Sequence, residues 1–346
     1  MLAVMKARTS AAQPLQIAEI AADELRSRQL ACLLGGAIGD AVGYRVEFKR
    51  WPEIERLHGT RGITLATAAG PLIVSDDTQM TLFTLEGMAR ATSPQQVIPE
   101  VREAYLDWLG TQRPRSGRRR PKGALARCEV MRERRAPGTT CLSALETGGR
   151  GSPVSRINDS KGCGGVMRTA PIGFLPDACD DAAVFRLGAE AAALTHGHPD
   201  GYLPAGAMPL LTRCALRDDE WPDAIAIVQS SLANWPDSRA TSEAIGAAVA
   251  AAAAGFASRE RVQSLGEGWV GEEALAIGLY AALAARSFAE CVELAANHDG
   301  DSDSTASIAG QLYGARHGLA ALPAEAVHRL DVIEPLLTTF GKPISF

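Results

Sequence analysis

Apolar residues recur at helical spacing along almost the whole chain, while alternating β-branched runs are scarce. A chain patterned in this way must bury its apolar stripes helix against helix, so the expected fold class is all-α. The periodicity marks helices from Leu30 to Val42, Thr81 to Ala91, Val97 to Leu109, Ala182 to Leu194, Gly206 to Leu216 and Trp221 to Ala233. It marks further ones from Ser242 to Ala257, Glu272 to Ala285, Ser287 to Ala296, Thr305 to Ala321 and Ala324 to Leu337. Gly35, Gly39 and Gly43 share one face of the first helix, as Gly310 and Gly314 do in a later one. Small residues at this spacing let two backbones approach closely inside a compact globule. In a lipid-facing helix the same spacing would suggest dimerisation, but Asp40 interrupts the run. No fixed-period repeat or linker divides the chain. One domain is expected over residues 25–346, after an N-terminal extension of residues 1–24.

At 346 residues and 46% apolar content, the chain is long enough to bury a substantial core. A net charge of -5 gives no global attraction to nucleic acid or anionic lipid, so any phosphate binding must be local. The seven cysteines are odd in number, scattered and never in a Cys-x-x-Cys pair, which points to reduced thiols in a cytoplasm. The first sixteen residues lack the continuous apolar run of a secretory signal. Ala244 to Ala257 is mostly alanine, too short and too weakly hydrophobic for a bilayer, so no membrane association is expected. Ten Lys or Arg residues fall between Arg113 and Arg135, including Arg118, Arg119 and Arg120. This basic loop, at about 112–137, reads as a solvated segment, or alternatively as a guide for an acidic or phosphate-bearing target. Few aromatics interleave with its charges, which argues against single-stranded nucleic acid.

Two acidic clusters each run into a helix-like segment: Ser75-Asp76-Asp77-Thr78 and Gly300-Asp301-Ser302-Asp303-Ser304-Thr305. Ser, Thr and Asp are also the commonest helix N-caps, and a cap alone accounts for either cluster. It accounts poorly for the pair, because a cap needs one side chain and each cluster offers three or more. Four carboxylates in two turns repel unless a cation neutralises them, and hard oxygen donors favour Mg²⁺, Mn²⁺ or Ca²⁺ over zinc. An EF-hand loop starting at Asp299 fails, because Ser304 and Gly310 stand where Gly and Glu are required.

Six motifs occur in order: Gly35 to Gly43 with Val46-Glu47-Phe48, then Ser75 to Thr78, then Ser160 to Arg168, Thr195-His196, Trp269 to Leu275, and Gly300 to Ser304. Together they resemble the ADP-ribosylglycohydrolases, the family of dinitrogenase-reductase-activating glycohydrolase. The resemblance implies an orthogonal helix bundle around a central binuclear Mg²⁺ or Mn²⁺ site that hydrolyses the N-glycosidic bond between ADP-ribose and a protein side chain. It implies Ser75, Asp76, Asp77, Asp301, Asp303 and Ser304 as metal ligands, with Glu47, Asp77 and Asp303 as the catalytic set. Glu47 would reach the metal or position water; its alternative is a surface carboxylate after a helix end. Such a centre can hold ribose hydroxyls and orient water against an oxocarbenium-like ribose.

By the same resemblance, Glu47, Ser160, Lys161, Gly162, Cys163, Gly164, Gly165 and His196 bind substrate. The glycines of the 160–168 segment allow backbone amides to approach phosphates as anion-binding nests do. Cys163 stands where many members have Asn; as a nucleophile it would lack a clear base. His196 and His198 form a His-x-His pair, but imidazole suits an oxygen-rich site poorly, so a ligand-facing or capping role is expected. Where some relatives place an acidic residue before Gly138, this chain has Ala136-Pro137. The implied partners are a mono-ADP-ribosylated protein, ADP-ribose and, if toxin immunity is the role, a cognate ADP-ribosyltransferase. Trp269 to Leu275 resembles arginine-directed members more than serine-directed ones. Serine-linked or other ADP-ribosyl substrates, or a non-catalytic ADP-ribose-binding relative, are the alternatives.

Overall fold

The computed structural model describes residues 17, 20–113, 120–344 and 346. Among them there is no β-strand, only three isolated bridges. The expectations for most of the N-terminal extension, and for Arg118 and Arg119 in the basic loop, fall outside the described residues.

Two helices that are buried around most of their circumference form the centre. Helix α1 (Glu24–Gly43) buries every residue from Leu30 to Gly43. The last long helix, Ser302–His317, buries every residue from Ser302 to Ala315. Helices buried on all sides belong in a core, and the glycine stripes put these two in contact. A side-chain carbon on Gly35 would fall on the Gly310 carbonyl, one on Gly39 on Ala306, and one on Gly43 on Ser302. The pairing runs antiparallel, so the end of α1 lies against the start of the long helix.

In chain order the other helices are α2 (Trp51–His58), α3 (Asp76–Met88), α4 (Val97–Gln112), α5 (Thr139–Glu146), α6 (Asp181–Ala193) and α7 (Pro199–Leu216). They continue with α8 (Trp221–Leu232), α9 (Arg239–Ala253), α10 (Arg259–Ser264), α11 (Gly271–Ala284) and α12 (Phe288–Ala296). The long helix is α13, followed by α14 (Ala324–Arg329) and α15 (Ile333–Phe340). Helix α3 packs on α4, α6 on α7 and α9 on α11, while α7, α11 and α12 all pack on α13.

The structure shortens and splits some expected helices for physical reasons. Helix α13 stops at His317 because Gly318 adopts φ +70, so it does not reach Ala321. The span from Ala324 to Leu337 breaks at Leu330, where Leu72 N–H donates to Arg329 and Asp331 N–H donates to Leu72. That pairing anchors the segment leading into Ser75. Helix α7 begins at Pro199, before the expected Gly206, and runs through Pro204 and Pro209. Helices α2, α5 and α10 are only six to eight residues long, too short for an apolar period to recur and be read.

In the described part of the basic segment, short 3₁₀ turns form at Leu125–Arg127 and Val130–Arg132. Lys122 pairs with Glu103 at 3.0 Å. Arg135 is buried, donating to the Val74 carbonyl and pairing with Asp331. Arg135 is therefore structural, whereas Arg120, Lys122, Arg127, Arg132 and Arg134 are exposed to solvent.

Candidate metal centre and substrate cavity

The starts of α3 and α13 and the turn after α1 converge on one cavity of about 330 Å³. Its lining includes Glu47, Asp76, Asp77, Asp301, Asp303 and Ser304, together with Gly162, Cys163, Gly164, Met167 and His196. No Lys or Arg is among the lining residues. Two clusters more than 200 residues apart in the chain therefore share one site, as the acidic pattern required.

Local chemistry fixes each helix start. The Ser75 hydroxyl caps α3 by accepting from Asp77 N at 3.1 Å, and Asp301 caps α13 by accepting from Ser304 N at 3.4 Å. The capping explanation thus holds for these two side chains, but it leaves most of the acidic oxygens unused. Ser75 is fully buried and lies just outside the cavity lining. Asp40, fully buried in α1, accepts from Ser75 N at 2.9 Å, from Thr78 N at 3.0 Å and from the Thr78 hydroxyl. A carboxylate from the central helix thus satisfies the orphan amides at the start of α3, complementing its dipole.

Glu47 follows α1 in a turn closed by its N–H to Gly43. One carboxylate oxygen each from Glu47, Asp301 and Asp303 lies within 4.8 Å of the others. Oε2 of Glu47 and Oδ2 of Asp77 are buried with no hydrogen-bond partner among the described residues. Asp76 accepts from Gly138 N at 3.2 Å, and Asp303 from Ser304 N at 3.1 Å. Among the described residues the Ser304 hydroxyl meets only sulfur, Cys163 Sγ at 3.6 Å and Met167 Sδ at 3.9 Å.

The carboxyl groups respond strongly to this crowding. Burial, then Asp303, raises Asp40 to about 7. Burial, then Asp303, Asp301, Asp76 and Asp40, raises Glu47 to about 10. Asp76, Asp77 and Asp301 are held well above the usual carboxylate range, chiefly by burial. Orphaned acidic oxygens, hydroxyls and no basic counter-charge form a donor set that suits a hard divalent cation. The residues present therefore fit the metal expected from the sequence.

The glycine-rich segment forms another part of the lining. A 3₁₀ helix spans Cys163–Arg168, and the Cys163 thiol donates to Asp301 Oδ2 at 2.6 Å. Burial, then Asp301, raises that thiol well above its ordinary value, so it is no ready nucleophile. The lining includes Gly162, Cys163 and Gly164, whereas Ser160, Lys161 and the buried Gly165 lie outside it. Ser160 bonds Thr140 at 3.0 Å, and Lys161 extends toward Glu272 at 3.5 Å and Asp200 at 3.8 Å. His198 caps α7, and His196 lines the cavity, buried and lowered to about 3 by burial and then by Arg168. Ala136 to Thr140 complete the lining with no acidic residue of their own.

The loop before α11 joins both halves of the site. Its Trp269 carbonyl accepts from Cys163 N at 3.1 Å, and its Glu267 carbonyl accepts from Asp301 N at 2.8 Å. Its own shape depends on Glu273, whose Oε2 accepts from Glu267 N at 3.0 Å and Gly268 N at 3.1 Å. Asp40 was given no role in the sequence, and the strap was marked only through the Trp269 to Leu275 resemblance, without its bonds to Cys163 and Asp301. An acidic residue on the glycine face of α1 was the available signal for Asp40, whereas the strap works through main-chain atoms that no residue type marks.

An all-helical scaffold presenting buried oxygen donors and glycine amides to one cavity has the architecture of a helical glycohydrolase. The chain belongs to the ADP-ribosylglycohydrolase family, whose model matches residues 21–342. This is a hydrolase family acting on ADP-ribosyl compounds and known for metal dependence. A solved structure described as an ADP-ribosylglycohydrolase-related protein complex is similar in fold, with a TM-score of 0.64 and 24% identity. The match covers 92% of this chain and 96% of that one. No helix among the described residues is long and apolar enough to cross a membrane.

Proposed function

We propose that the protein hydrolyses the N-glycosidic bond of ADP-ribosyl-arginine on modified proteins, using two Mg²⁺ or Mn²⁺ ions. The observation that carries this reading is the convergence of both acidic clusters and Glu47 on one cavity, with Glu47 Oε2 and Asp77 Oδ2 buried and unpartnered. Ser75, Asp76, Asp77, Asp301, Asp303 and Ser304 hold the cations, and Ser75 can do so while its other lone pair caps α3. Bound cations lower the cost of activating water and of gathering negative charge at the ribose. Asp77 and Asp303 fix the ribose end of the substrate.

Glu47 sits beside Asp301 and Asp303, and once bound cations offset the neighbouring carboxylates that hold its proton on, its unpartnered oxygen orients the attacking water or takes up its proton. The diphosphate lies against Gly162, Cys163 and Gly164; because Cys163 N–H is given to the Trp269 carbonyl and Gly162 N–H to Ser160 Oγ, the Gly164 amide is the donor, with Ser160, Lys161 and Gly165 shaping the loop from behind. His196 offers a neutral ring to the same substrate. The arginine preference rests on the Trp269 to Leu275 resemblance together with an aromatic and acidic lip: Trp269 donates to Glu267 at 3.2 Å beside Phe48. A planar cation suits such a lip better than a neutral serine side chain.

Mass spectrometry of an arginine-ADP-ribosylated peptide tests the reading. Intact ADP-ribose and unmodified arginine are expected. A phosphoribosyl adduct with free AMP would overturn it, and binding of ADP-ribose without turnover would favour a non-catalytic relative.

A further inference from the structure

Arg168, at the end of the glycine-rich segment, is fully buried, and among the described residues no carboxylate pairs with it. Its guanidinium lies over the Tyr105 ring at 4.3 Å. Nη2 donates to the Thr195 hydroxyl at 2.7 Å and to the Ala191 carbonyl at 3.3 Å, and Nη1 meets Cys141 Sγ at 3.3 Å and Met80 Sδ at 3.4 Å. A buried charge held this way is costly, which calls for a reason to keep it.

Hydrogen-bond accounting supplies one. Arginine only donates, so the Thr195 oxygen must accept from it, leaving Thr195 a single proton to direct elsewhere. That proton has three acceptors in reach: His196 Nδ1 at 2.8 Å, the Ala192 carbonyl at 3.3 Å and the Cys141 sulfur, which accepts weakly. The Ala192 carbonyl already accepts from Thr195 N at 3.0 Å and His196 N at 2.9 Å, which occupies both its lone pairs. Nδ1 is thus the nearest acceptor for that proton, and when the hydroxyl donates to it a neutral His196 carries its hydrogen on Nε2. That nitrogen borders the glycine loop: a side-chain carbon built on Gly162 would lie 3.6 Å from it, and one on Gly164 3.2 Å.

We propose that Arg168 and Thr195 are positioning residues that lock His196 in its Nε2–H form, so that the ring presents a fixed neutral donor to an oxygen of the bound substrate. Only the identity of that substrate rests on the ADP-ribose reading above. An arginine suits this relay because it always donates, so one Thr195 lone pair is filled at every pH and the hydroxyl proton is turned away from Arg168.

Two-bond ¹H–¹⁵N spectra of histidine-labelled protein test this without turnover. His196 should show a protonated Nε2 and a bare Nδ1, unchanged between about pH 5 and pH 8. Thr195→Val keeps the side-chain shape and removes the hydroxyl, so it should give a mixture of tautomers, and Thr195→Ser should restore one. Added ADP-ribose should shift the wild-type Nε2 signal, with Thr195→Val binding it about 3- to 10-fold more weakly. A wild-type Nδ1–H form, or a Thr195→Val variant that keeps the single tautomer, overturns the lock. Wild-type protein with the expected tautomer but no affinity for ADP-ribose would instead sink the substrate reading and leave the lock standing.

Discussion

Phe48 and Trp269 stack across the lip of the cavity, their ring centroids 5.6 Å apart and their planes within 17° of parallel. Phe48 is 71% exposed and adopts φ +64, a left-handed conformation that costs a bulky residue about 1–2 kcal/mol. An exposed aromatic held in a strained turn beside Glu47 is poorly explained by stability. Phe48→Gly should leave the melting temperature undiminished, because Gly tolerates that φ. It should also raise KM for ADP-ribosyl-arginine about 2- to 5-fold, the worth of an exposed cation–π contact, and spare a serine-linked substrate. Equal losses on both substrates would mean that the stack only shapes the lip.

Asp40 and Asp77 are both buried carboxylates of the same site, yet they should fail differently. Asp40→Ala strands three buried donors at the start of α3, so a stability loss of about 3–5 kcal/mol in urea unfolding is expected. Asp77 Oδ2 has no partner to strand. Asp77→Ala should change cation-free stability by about 1 kcal/mol or less while abolishing turnover, and Asp303→Ala should likewise cost turnover before fold. An Asp77→Ala protein that turns over in the presence of EDTA would remove the metal centre from the reaction.

The helical class and the union of the two acidic clusters were legible because both depend on local pattern: apolar period in one case, density of oxygen donors in the other. The glycine stripes pointed to a close helix pair but not to their partners, since Gly35 and Gly310 meet only through the antiparallel pairing. Lys161 illustrates the limit of motif reading. It lies inside the glycine-rich motif, yet its side chain turns toward Glu272, because successive residues of an irregular segment need not face the same way. Arg135 reads as one more charge in a basic run, whereas burial against Asp331 makes it part of the frame.

The raised carboxyl groups dictate a pH dependence of cation binding. Asp40 and Glu47 have folded pKa values near 7 and 10, above their ordinary 3.8 and 4.5. In the cation-free protein their contribution to stability is therefore present in full below about pH 4 and is lost as pH rises through those folded values. His298 and His196 act in the opposite sense. Their folded values are about 4 and about 3, so what they contribute is present above 6.5 and is lost as pH falls through them. A divalent cation competes with the carboxyl protons, so the rise in melting temperature on adding Mg²⁺ should be larger at pH 8 than at pH 5.5. Calorimetry in two buffers of different ionisation enthalpy should show proton release on binding, and buffer-independent heats would contradict it.

Gly43 couples the fold to the site, because it packs against the residues that begin α13. A side-chain carbon there would fall on the Ser302 carbonyl and lie 2.6 Å from the Asp303 Cα. At the other end of the same helix pair, Gly314 faces the Ala31 carbonyl, far along α13 from the acidic cluster. Gly43→Ala and Gly314→Ala should each cost about 1–3 kcal/mol or more, since backbone must shift to admit the methyl group. Relief at Gly43 has to displace Ser302 and Asp303 relative to Glu47, spreading oxygens that now lie within 4.8 Å of one another. Gly43→Ala should therefore weaken Mn²⁺ binding about 10-fold or more, the scale on which disturbed ligand support lowers metal affinity, while Gly314→Ala should leave it unchanged in whatever fraction stays folded. Titration of Mn²⁺ by electron paramagnetic resonance on both variants, at a temperature where each is folded, separates the two effects; equal affinities would show that the metal loop is held by the Glu267 strap alone.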